Sequence, residues 1–199
     1  MSDGQSFPYA SQVYPDLKKG AYSPETIYTI ANITSVINYA NSYGVRVVVG
    51  LFFPVNFNLI IQLTCLKLEF DMPSHAGPSW GVGYPFLTMN CSTPNCLLPQ
   101  GKYSDPCNDF PFDATSDQVY SFLNNFIGEI SSVFPDTYLH MGGDEVQTYC
   151  WNTSAVNNWM NQHNMTSYNQ LEQYFLTNVQ QYAVARNKVT LFSFYFVPS

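Results

Sequence analysis

The feature that most constrains the fold of this 199-residue chain is a recurrent alternation of amphipathic helix and short apolar strand. In the first unit, we expect Asn32 to cap a helix that Gly44 ends, because apolar residues between them recur at the spacing of one helical face. Residues 45–49 follow as a mostly β-branched run, which is typical of a buried strand.

The same pattern occurs twice more. Ser116 is expected to cap a second helix that Pro135 stops, and residues 137–141 form the strand after it. Ser167 opens a third helix, which is followed by a strand from 189 to about 196. Helices that alternate with short apolar strands predict an α/β fold with a parallel sheet.

Two segments interrupt the alternation. Residues 81–114 are rich in Pro, Asn, Asp, Cys and Gly, and we expect a long loop there. Residues 50–68 are apolar but follow neither a helical nor a strand period, and they include Pro54, Gln62 and Lys67. A membrane-spanning helix would need about 20 apolar residues without such interruptions. A buried hairpin is an alternative.

Charge and glycosylation motifs limit the class of protein. A net charge of −7 argues against nucleic-acid binding, which needs Lys and Arg for the phosphates. Sequons at Asn32, Asn90, Asn152 and Asn164 indicate the secretory route. Met1 is followed by polar residues instead of a signal peptide, and we interpret this as a missing N-terminus. A cytosolic protein is the alternative.

Two adjacent carboxylates follow the second predicted strand. Gly142 and Gly143 come after residues 137–141, and Asp144 and Glu145 come next. Barrel enzymes keep their catalytic groups at the carboxyl ends of strands, and the glycines would let both carboxylates reach one site. Two close carboxylates push their pKa values apart, which leaves one ionised group and one acid. The alternative is a solvated turn without function.

Several motifs together resemble the family 20 glycoside hydrolases, the β-N-acetylhexosaminidases that include the lysosomal enzymes. They occur in the family's order and spacing over most of the chain. The motifs are 140–146 (HMGGDEV) with Cys150-Trp151, 3–9 (DGQSFPY), 43–48 (YGVRVV), 69–75 (EFDMPSH) with 79–81 (SWG), and 133–136 (VFPD). The resemblance implies that residues 1–199 belong to a TIM (β/α)8 barrel, of which they supply about strands three to five with their helices.

The resemblance also implies a mechanism. Glu145 is the acid/base that protonates the glycosidic oxygen and later activates water. The substrate's own 2-acetamido carbonyl is the nucleophile, which gives an oxazolinium intermediate and retention of configuration. Asp144 orients that acetamido group and stabilises its developing positive charge. The substrate is a glycan with a terminal β-linked GlcNAc or GalNAc, and no cofactor is implied.

Five further residues match supporting positions of the family or could contact a sugar. Asp71 and His75 match residues of the loop after the third strand, and Asp3 matches an Asp that binds a sugar hydroxyl. Trp80 and Trp151 could stack on sugar rings, but core packing is the preferred interpretation for both.

The five cysteines show no C-x-x-C spacing and no His at zinc distances, so we expect no metal site. Cys91 and Cys150 match a family disulfide that ties the third-strand loop to the loop after the carboxylate pair. Cys96 and Cys107 could pair with each other, and Cys65 would be the odd thiol.

Two stretches depart from the family. In relatives, Val49 would lead almost directly into Glu69, so residues 50–68 are an anomalous insertion, and unspliced intron sequence is a third interpretation of them. Residues 193–199 replace the Trp and Glu that normally follow the fifth strand. We therefore expect a catalytic-domain fragment, and two functions stay open for it: hydrolase, or an inactive fragment that at most binds glycans.

The family also suggests a setting. It implies a lysosomal or secreted enzyme that acts on glycans, with no membrane partner, and complete members of the family can dimerise. The sequence does not distinguish GlcNAc from GalNAc as the preferred sugar.

Overall fold

The structure, a computed structural model, describes residues 6–49, 65–68, 72, 77–89, 110–143 and 146–192. For residues 49, 65–68, 77 and 78 it describes the backbone only. The helices within these ranges are α1 (Ile30–Ser42), α2 (Gly77–Gly83), α3 (Asp117–Val133), α4 (Ser154–Gln162) and α5 (Tyr168–Val184), and the strands are β1 (Arg46–Val49), β2 (Cys65–Leu68), β3 (Tyr138–His140) and β4 (Val189–Leu191). Short 3₁₀ turns occupy Leu17–Gly20, Pro24–Thr26 and Thr148–Trp151.

The four strands form one parallel sheet in the order β2-β1-β3-β4. Val49 of β1 is paired with Leu139 of β3, and Leu139 is paired with Thr190 of β4. The carboxyl ends of β1, β3 and β4 therefore meet at one edge of the sheet. The prediction of an α/β fold with a parallel sheet is confirmed, and β1, β3 and β4 are the three predicted strands.

The start of α1 corrects the predicted cap. Thr29 is the N-cap residue, and its side chain accepts a hydrogen bond from the backbone N–H of Asn32. Asn32 is the third helical residue, and its side chain bonds back to the backbone N–H of Thr29 to complete a capping box. The helix ends at Ser42, and Gly44 follows in the left-handed conformation with φ +72°.

The other two predicted helices begin as expected. Ser116 precedes α3, although its side chain makes no capping bond, and Ser167 caps α5 with a capping box formed with Gln170. The strands are shorter than predicted, with β3 restricted to Tyr138–His140 and β4 to Val189–Leu191. Residues 193–199 lie outside the described residues.

Three elements were not predicted. Two of them are the short helices α2 and α4. Helix α4 ends at Gln162, just before a turn at Asn164, where φ is +56°. Strand β2 lies at the end of the apolar segment 50–68 and runs parallel to β1, so these two strands do not form a hairpin. Among the described residues, no helix has the length and apolar character needed to cross a membrane.

A cluster of aromatic rings forms the centre of the core. The Trp80 ring lies 4.5 Å from the Phe7 ring, 5.1 Å from Phe112 and 5.5 Å from Phe126, each measured between centroids. The rings meet edge to face, the arrangement that aromatic quadrupoles favour. Because these residues come from distant parts of the chain, the cluster joins the N-terminal segment, α2 and α3 around one core.

Candidate active site

Strand β3 supplies the central position of the site. It is flanked by β1 and β4, and the N–H of Met141 donates to the carbonyl of Leu191 at 2.8 Å just beyond the paired residues. Met141 is buried, with 1% of its surface exposed. The strand therefore reaches the carboxyl edge of the sheet fixed on both sides, and the residues after it begin from a defined position.

Two glycines turn the chain at the end of β3. Gly142 has φ +77° and Gly143 has φ +91°, both in the left-handed region that favours glycine. A Cβ on Gly143 would also lie 3.2 Å from both Leu176 methyl carbons and 3.5 Å from Phe192 Cδ1. Both glycines are thus required by backbone conformation, and Gly143 also by close packing, and the pair ends the extended strand before position 144, as the sequence predicted.

The chain is fixed again on the other side of the carboxylate pair. Trp151 is fully buried at 0% exposure, and its Nε1–H donates to the carbonyl of Phe112 at 2.9 Å. Cys150 beside it is 6% exposed and disulfide-bonded. Positions 144 and 145 therefore lie in a short connection between two well-packed anchors, Gly143 and Trp151. The core interpretation of Trp151, and that of the fully buried Trp80, is confirmed.

A second segment approaches the same edge. Met72, which is 3% exposed, forms an isolated parallel bridge with Gly142. Since β4 occupies the other edge of β3, Met72 continues the line of β1 beyond Val49. The bridge brings the backbone at position 72, within the predicted loop 69–75, next to the glycine pair.

Several predicted site residues lie outside the described residues. They are Asp3, Asp71, His75, Cys91, Asn90, Asp144 and Glu145. Their predicted roles, and the pairing of Cys150 with Cys91, therefore stay predictions. Three of the four sequon asparagines, Asn32, Asn152 and Asn164, are exposed, and a glycosylated Asn must be exposed.

The opposite, amino-terminal edge of the sheet holds an ion pair that sequence reasoning missed. Arg46 Nε and Nη2 each donate to a different oxygen of Asp136 at 2.8 Å, joining the starts of β1 and β3. Lys188 Nζ donates to the carbonyls of Phe134 and Asp136 at 2.7 Å each. Burial alone would raise the pKa of Asp136, but the hydrogen bonds from Arg46 and from the Tyr138 N–H hold it below its usual value.

The described residues also form an open cleft of about 600 Å³. Its lining residues are Thr148, Asn157, Met160, Asn161, Met165, Thr166, Ser167, Tyr168 and Asn169. Within the described ranges, no group of three or more His, Cys, Asp or Glu side chains could hold a metal ion.

Comparison with known families indicates what the carboxyl edge of the sheet is for. The family model for the catalytic domain of glycosyl hydrolase family 20 matches residues 1–193. This chain belongs to glycosyl hydrolase family 20. Its small parallel sheet and flanking helices therefore represent part of the α/β architecture of that family's catalytic domain.

Named relatives of this family 20 chain agree. It is 34% identical to β-hexosaminidase subunit A1 of Dictyostelium discoideum over 193 residues, which is 96% of this chain and 31% of that protein. It is 37% identical to the rat (Rattus norvegicus) β-hexosaminidase subunit alpha over 177 residues, covering 87% of this chain and 28% of that protein. The chain thus spans about a third of the length of the relatives it matches.

Solved structures share the fold. The X-ray structure of Flavobacterium johnsoniae chitobiase superposes with a TM-score of 0.71 at 21% identity, covering 96% of this chain and 25% of that chain. At this level of identity the likeness concerns the fold alone. The structure is therefore a partial α/β unit, and the solved structures that it resembles are family 20 TIM-barrel enzymes.

Proposed function

We propose that this chain is part of a retaining β-N-acetylhexosaminidase, which releases terminal β-linked GlcNAc or GalNAc from glycans. The observation that carries the proposal is the end of β3. There, two left-handed glycines at the carboxyl edge of a parallel sheet directly precede Asp144 and Glu145 in a family 20 chain. This is the edge at which barrel enzymes position their catalytic groups.

In the first step, the acetamido carbonyl oxygen of the substrate forms a bond to the anomeric carbon as the glycosidic C–O bond breaks. Glu145 gives its proton to the departing oxygen, so the aglycone leaves as a neutral alcohol. Asp144 accepts a hydrogen bond from the acetamido N–H and stabilises the positive charge of the oxazolinium. A fixed anion is suited to this role because the nucleophile is a neutral amide.

In the second step, the ionised Glu145 takes a proton from water as that water attacks the anomeric carbon. The bond between this carbon and the acetamido oxygen breaks, and the neutral acetamido group is restored. Two displacements on opposite faces give a product with the β configuration of the substrate. Glu145 regains its proton, so the enzyme is ready for another cycle.

Asp3, Asp71 and His75 complete the proposed site. Asp3 binds a sugar hydroxyl, and Asp71 and His75 support the catalytic pair from the loop at the end of the third barrel strand. The bridge between Met72 and Gly142 supports this assignment, because Met72 is the residue after Asp71.

We further propose that residues 1–199 supply about strands three to five of the barrel, with 50–68 an insertion and 193–199 an atypical tail. The register supports the insertion. Val49 and Leu68 are parallel partners on neighbouring strands, so the residue before the insertion and its last residue lie side by side, about 4.8 Å apart between Cα atoms.

A deletion tests the insertion. A chain in which Val49 is joined to Glu69 should give a higher soluble yield and at least equal hexosaminidase activity. If the longer form is equally soluble and equally active, residues 50–68 are a genuine family insertion and the intron hypothesis is wrong.

The cellular setting is proposed from the sequons and the family. We infer a lysosomal or secreted enzyme that acts on glycans and binds neither nucleic acid nor membranes. Exposed Asn32, Asn152 and Asn164 support the secretory route, and a net charge of −7 argues against nucleic acid. Dimerisation is proposed only for the complete protein.

The function is tested with a matched pair of aryl β-glycosides that differ only in the 2-acetamido group. The N-acetylglucosaminide should be hydrolysed, with the β-anomer of the sugar appearing first in the proton NMR spectrum. The glucoside should not be hydrolysed, because it lacks the nucleophile. Equal hydrolysis of both, or an α-anomer as the first product, would each reject the proposal, and binding without turnover would indicate the alternative of an inactive fragment that binds glycans.

A further inference from the structure

Asn152, one of the four sequon asparagines, is held in place by residues of the open cleft. Asn157 Nδ2 donates to Asn152 Oδ1 at 3.2 Å, and the Tyr168 hydroxyl lies 3.1 Å from the same oxygen. Asn157 and Tyr168 both line the cleft, and the Tyr168 hydroxyl also donates to Asn157 Oδ1 at 2.9 Å. The three side chains thus form one network between α4 and the start of α5.

The backbone around Asn152 is fixed as well. Its N–H donates to the carbonyl of Tyr149 at 3.2 Å, and the preceding residue is the fully buried Trp151. The following residue, Thr153, caps α4 by accepting from the N–H of Val156 at 3.2 Å. Because Asn152 itself is exposed, a group attached to its side chain would start from a defined position and extend outward.

The network leaves free the atom that glycosylation uses. In an N-glycan the first sugar is bonded to the side-chain nitrogen, so the carbonyl oxygen can keep its hydrogen bonds. Asn152 Nδ2 donates to none of the residues that the structure describes. The oxygen and nitrogen of one carboxamide are about 2.2 Å apart, so Nδ2 lies within about 5.5 Å of the Asn157 and Tyr168 donors. A sugar on Nδ2 would therefore begin at the edge of the cleft.

The chemistry of the cleft suits a neutral, hydroxylated ligand. None of its lining residues is Asp, Glu, Lys, Arg or His, although the chain has a net charge of −7. Asn161 and Asn169 contribute side-chain amides without a hydrogen-bond partner among the described residues, and Met160 and Met165 contribute apolar surface. Sugar rings present both hydroxyl groups and apolar C–H faces. A volume of about 600 Å³ is within the usual range for ligand clefts.

Covalent attachment compensates for weak binding in such a cleft. Each hydrogen bond to a sugar replaces one to water, so a free oligosaccharide would bind an open, uncharged cleft weakly. A sugar linked to Asn152 cannot diffuse away, and a short tether gives it an effective concentration in the millimolar range. Weak contacts are then sufficient to keep the sugar in the cleft for most of the time.

We propose that an N-glycan on Asn152 occupies this cleft with its first sugars and so links α4 to the start of α5. The inference rests on the secretory route of the proposed function, but not on hydrolysis by this chain. Asn32 lies on α1, which contributes no residue to the cleft, and the Asn164 side chain makes no hydrogen bond to a described residue. Glycans on these two residues are therefore expected to extend into solvent.

The accessibility of each glycan to an endoglycosidase tests the proposal. The full chain is secreted from a host that adds high-mannose glycans, and glycopeptide mass spectrometry follows cleavage between the two inner N-acetylglucosamines at each sequon. If the Asn152 glycan is seated about nine times in ten, its cleavage in the folded chain should be roughly tenfold slower than at Asn32, at Asn164 or in the denatured chain. An unoccupied Asn152, or equal rates in the folded and denatured chain, would overturn the proposal.

Two alanine variants on α4 form a matched pair. Asn157→Ala removes the amide that holds Asn152, and α4 should persist because Ala is the best helix former. Cleavage of the Asn152 glycan should then come within about twofold of the reference rate. Asn158→Ala changes the exposed neighbour, which does not line the cleft, and slow cleavage should remain. Slow cleavage in both variants would show that the network does not seat the glycan.

The unglycosylated chain tests whether the sugar comes from the chain itself. A free high-mannose oligosaccharide should shift the amide NMR signals of Asn161 and Met165 only at millimolar concentration. Shifts that saturate at micromolar concentration would overturn the proposal in favour of an external glycan.

Failure of the inference is distinguishable from failure of the proposed secretory route. If none of the sequons carries a glycan, both are wrong. If Asn32 or Asn164 is glycosylated and Asn152 is not, the secretory route stands and only the role of Asn152 is refuted.

Discussion

The two edges of the parallel sheet are built from different kinds of residue. At the amino edge, Arg46 and Asp136 form a two-bond ion pair, and Lys188 donates to two backbone carbonyls. At the carboxyl edge, two left-handed glycines and buried Met72 and Met141 bring the chain to the predicted carboxylates. The charges at the amino edge are paired with each other or with backbone carbonyls, whereas we propose that the carboxylates of Asp144 and Glu145 serve a ligand.

The largest effect is expected at the carboxyl edge. Glu145→Gln should lower hydrolysis of N-acetylhexosaminides with poor leaving groups by about 10²–10⁴-fold, because proton donation to the departing oxygen is lost. The hydrolysis of aryl substrates whose leaving groups need little protonation should fall less. Asp144→Asn should lower the hydrolysis of both classes of substrate. Steady-state kinetics over a series of leaving groups measures this. Near-normal turnover of poor leaving groups by Glu145→Gln would remove Glu145 from the mechanism.

The disulfide of Cys150 is a feature near the carboxyl edge that should affect the free energy of unfolding. If Cys150 pairs with Cys91, the closed loop is long and the bridge should contribute about 4 kcal/mol. Cys150→Ser should lower the denaturation midpoint accordingly. Peptide mapping of the non-reduced protein identifies the partner, and finding Cys91 free or joined to Cys65 would contradict the pairing.

Gly143 should be less tolerant of substitution than Gly44, although both have positive φ. Gly143→Ala adds a contact with Leu176 to the backbone strain and should cost about 2–4 kcal/mol of unfolding free energy, and it should also disturb the adjacent carboxylates. Gly44→Ala meets no atom within 4 Å and should cost about 1 kcal/mol. Chemical denaturation of both variants measures the difference, and equal costs would show that packing at Gly143 is unimportant.

The smallest effect is expected at the amino edge. Asp136→Asn should cost about 1–2 kcal/mol at neutral pH, a modest value because Arg46 is 55% exposed and the pair is partly screened. Since the folded-state pKa of Asp136 is lowered, its contribution is present above the unfolded pKa and declines below about pH 4. Denaturation at several pH values tests this, and a cost that grows on acidification would give the wrong sign.

The sequence predicted those parts of the fold that local chemistry determines. Ser116 and Ser167 precede helices with a clear apolar face, and the β-branched run before Val49 is a strand. Asn32 was misassigned because Thr29 and Asn32 can each serve as a cap, and the first strong apolar residue is a poor guide to the boundary.

The site was predictable only in part, because its supports come from distant segments. The turn at Gly142 and Gly143 follows from their residue type, but the bridge from Met72 depends on how β1 and β2 pair. In the core, likewise, nothing local to Glu129 indicates that its carboxylate accepts hydrogen bonds from the backbone N–H groups of Gln12 and Val13. Strand β2 has no local period to reveal it, because its pairing with β1 is a tertiary contact.

The separation of chemistry from stability is tested most directly by measuring activity and thermal unfolding together in Glu145→Gln and Asp136→Asn. The account predicts that Glu145→Gln loses hydrolysis of a poor-leaving-group N-acetylglucosaminide while its Tm stays within about 2 °C of the unsubstituted chain. Asp136→Asn should lower the Tm by several degrees while its activity per folded molecule is retained. An inactive Asp136→Asn that is fully folded, or an active Glu145→Gln, would contradict the account.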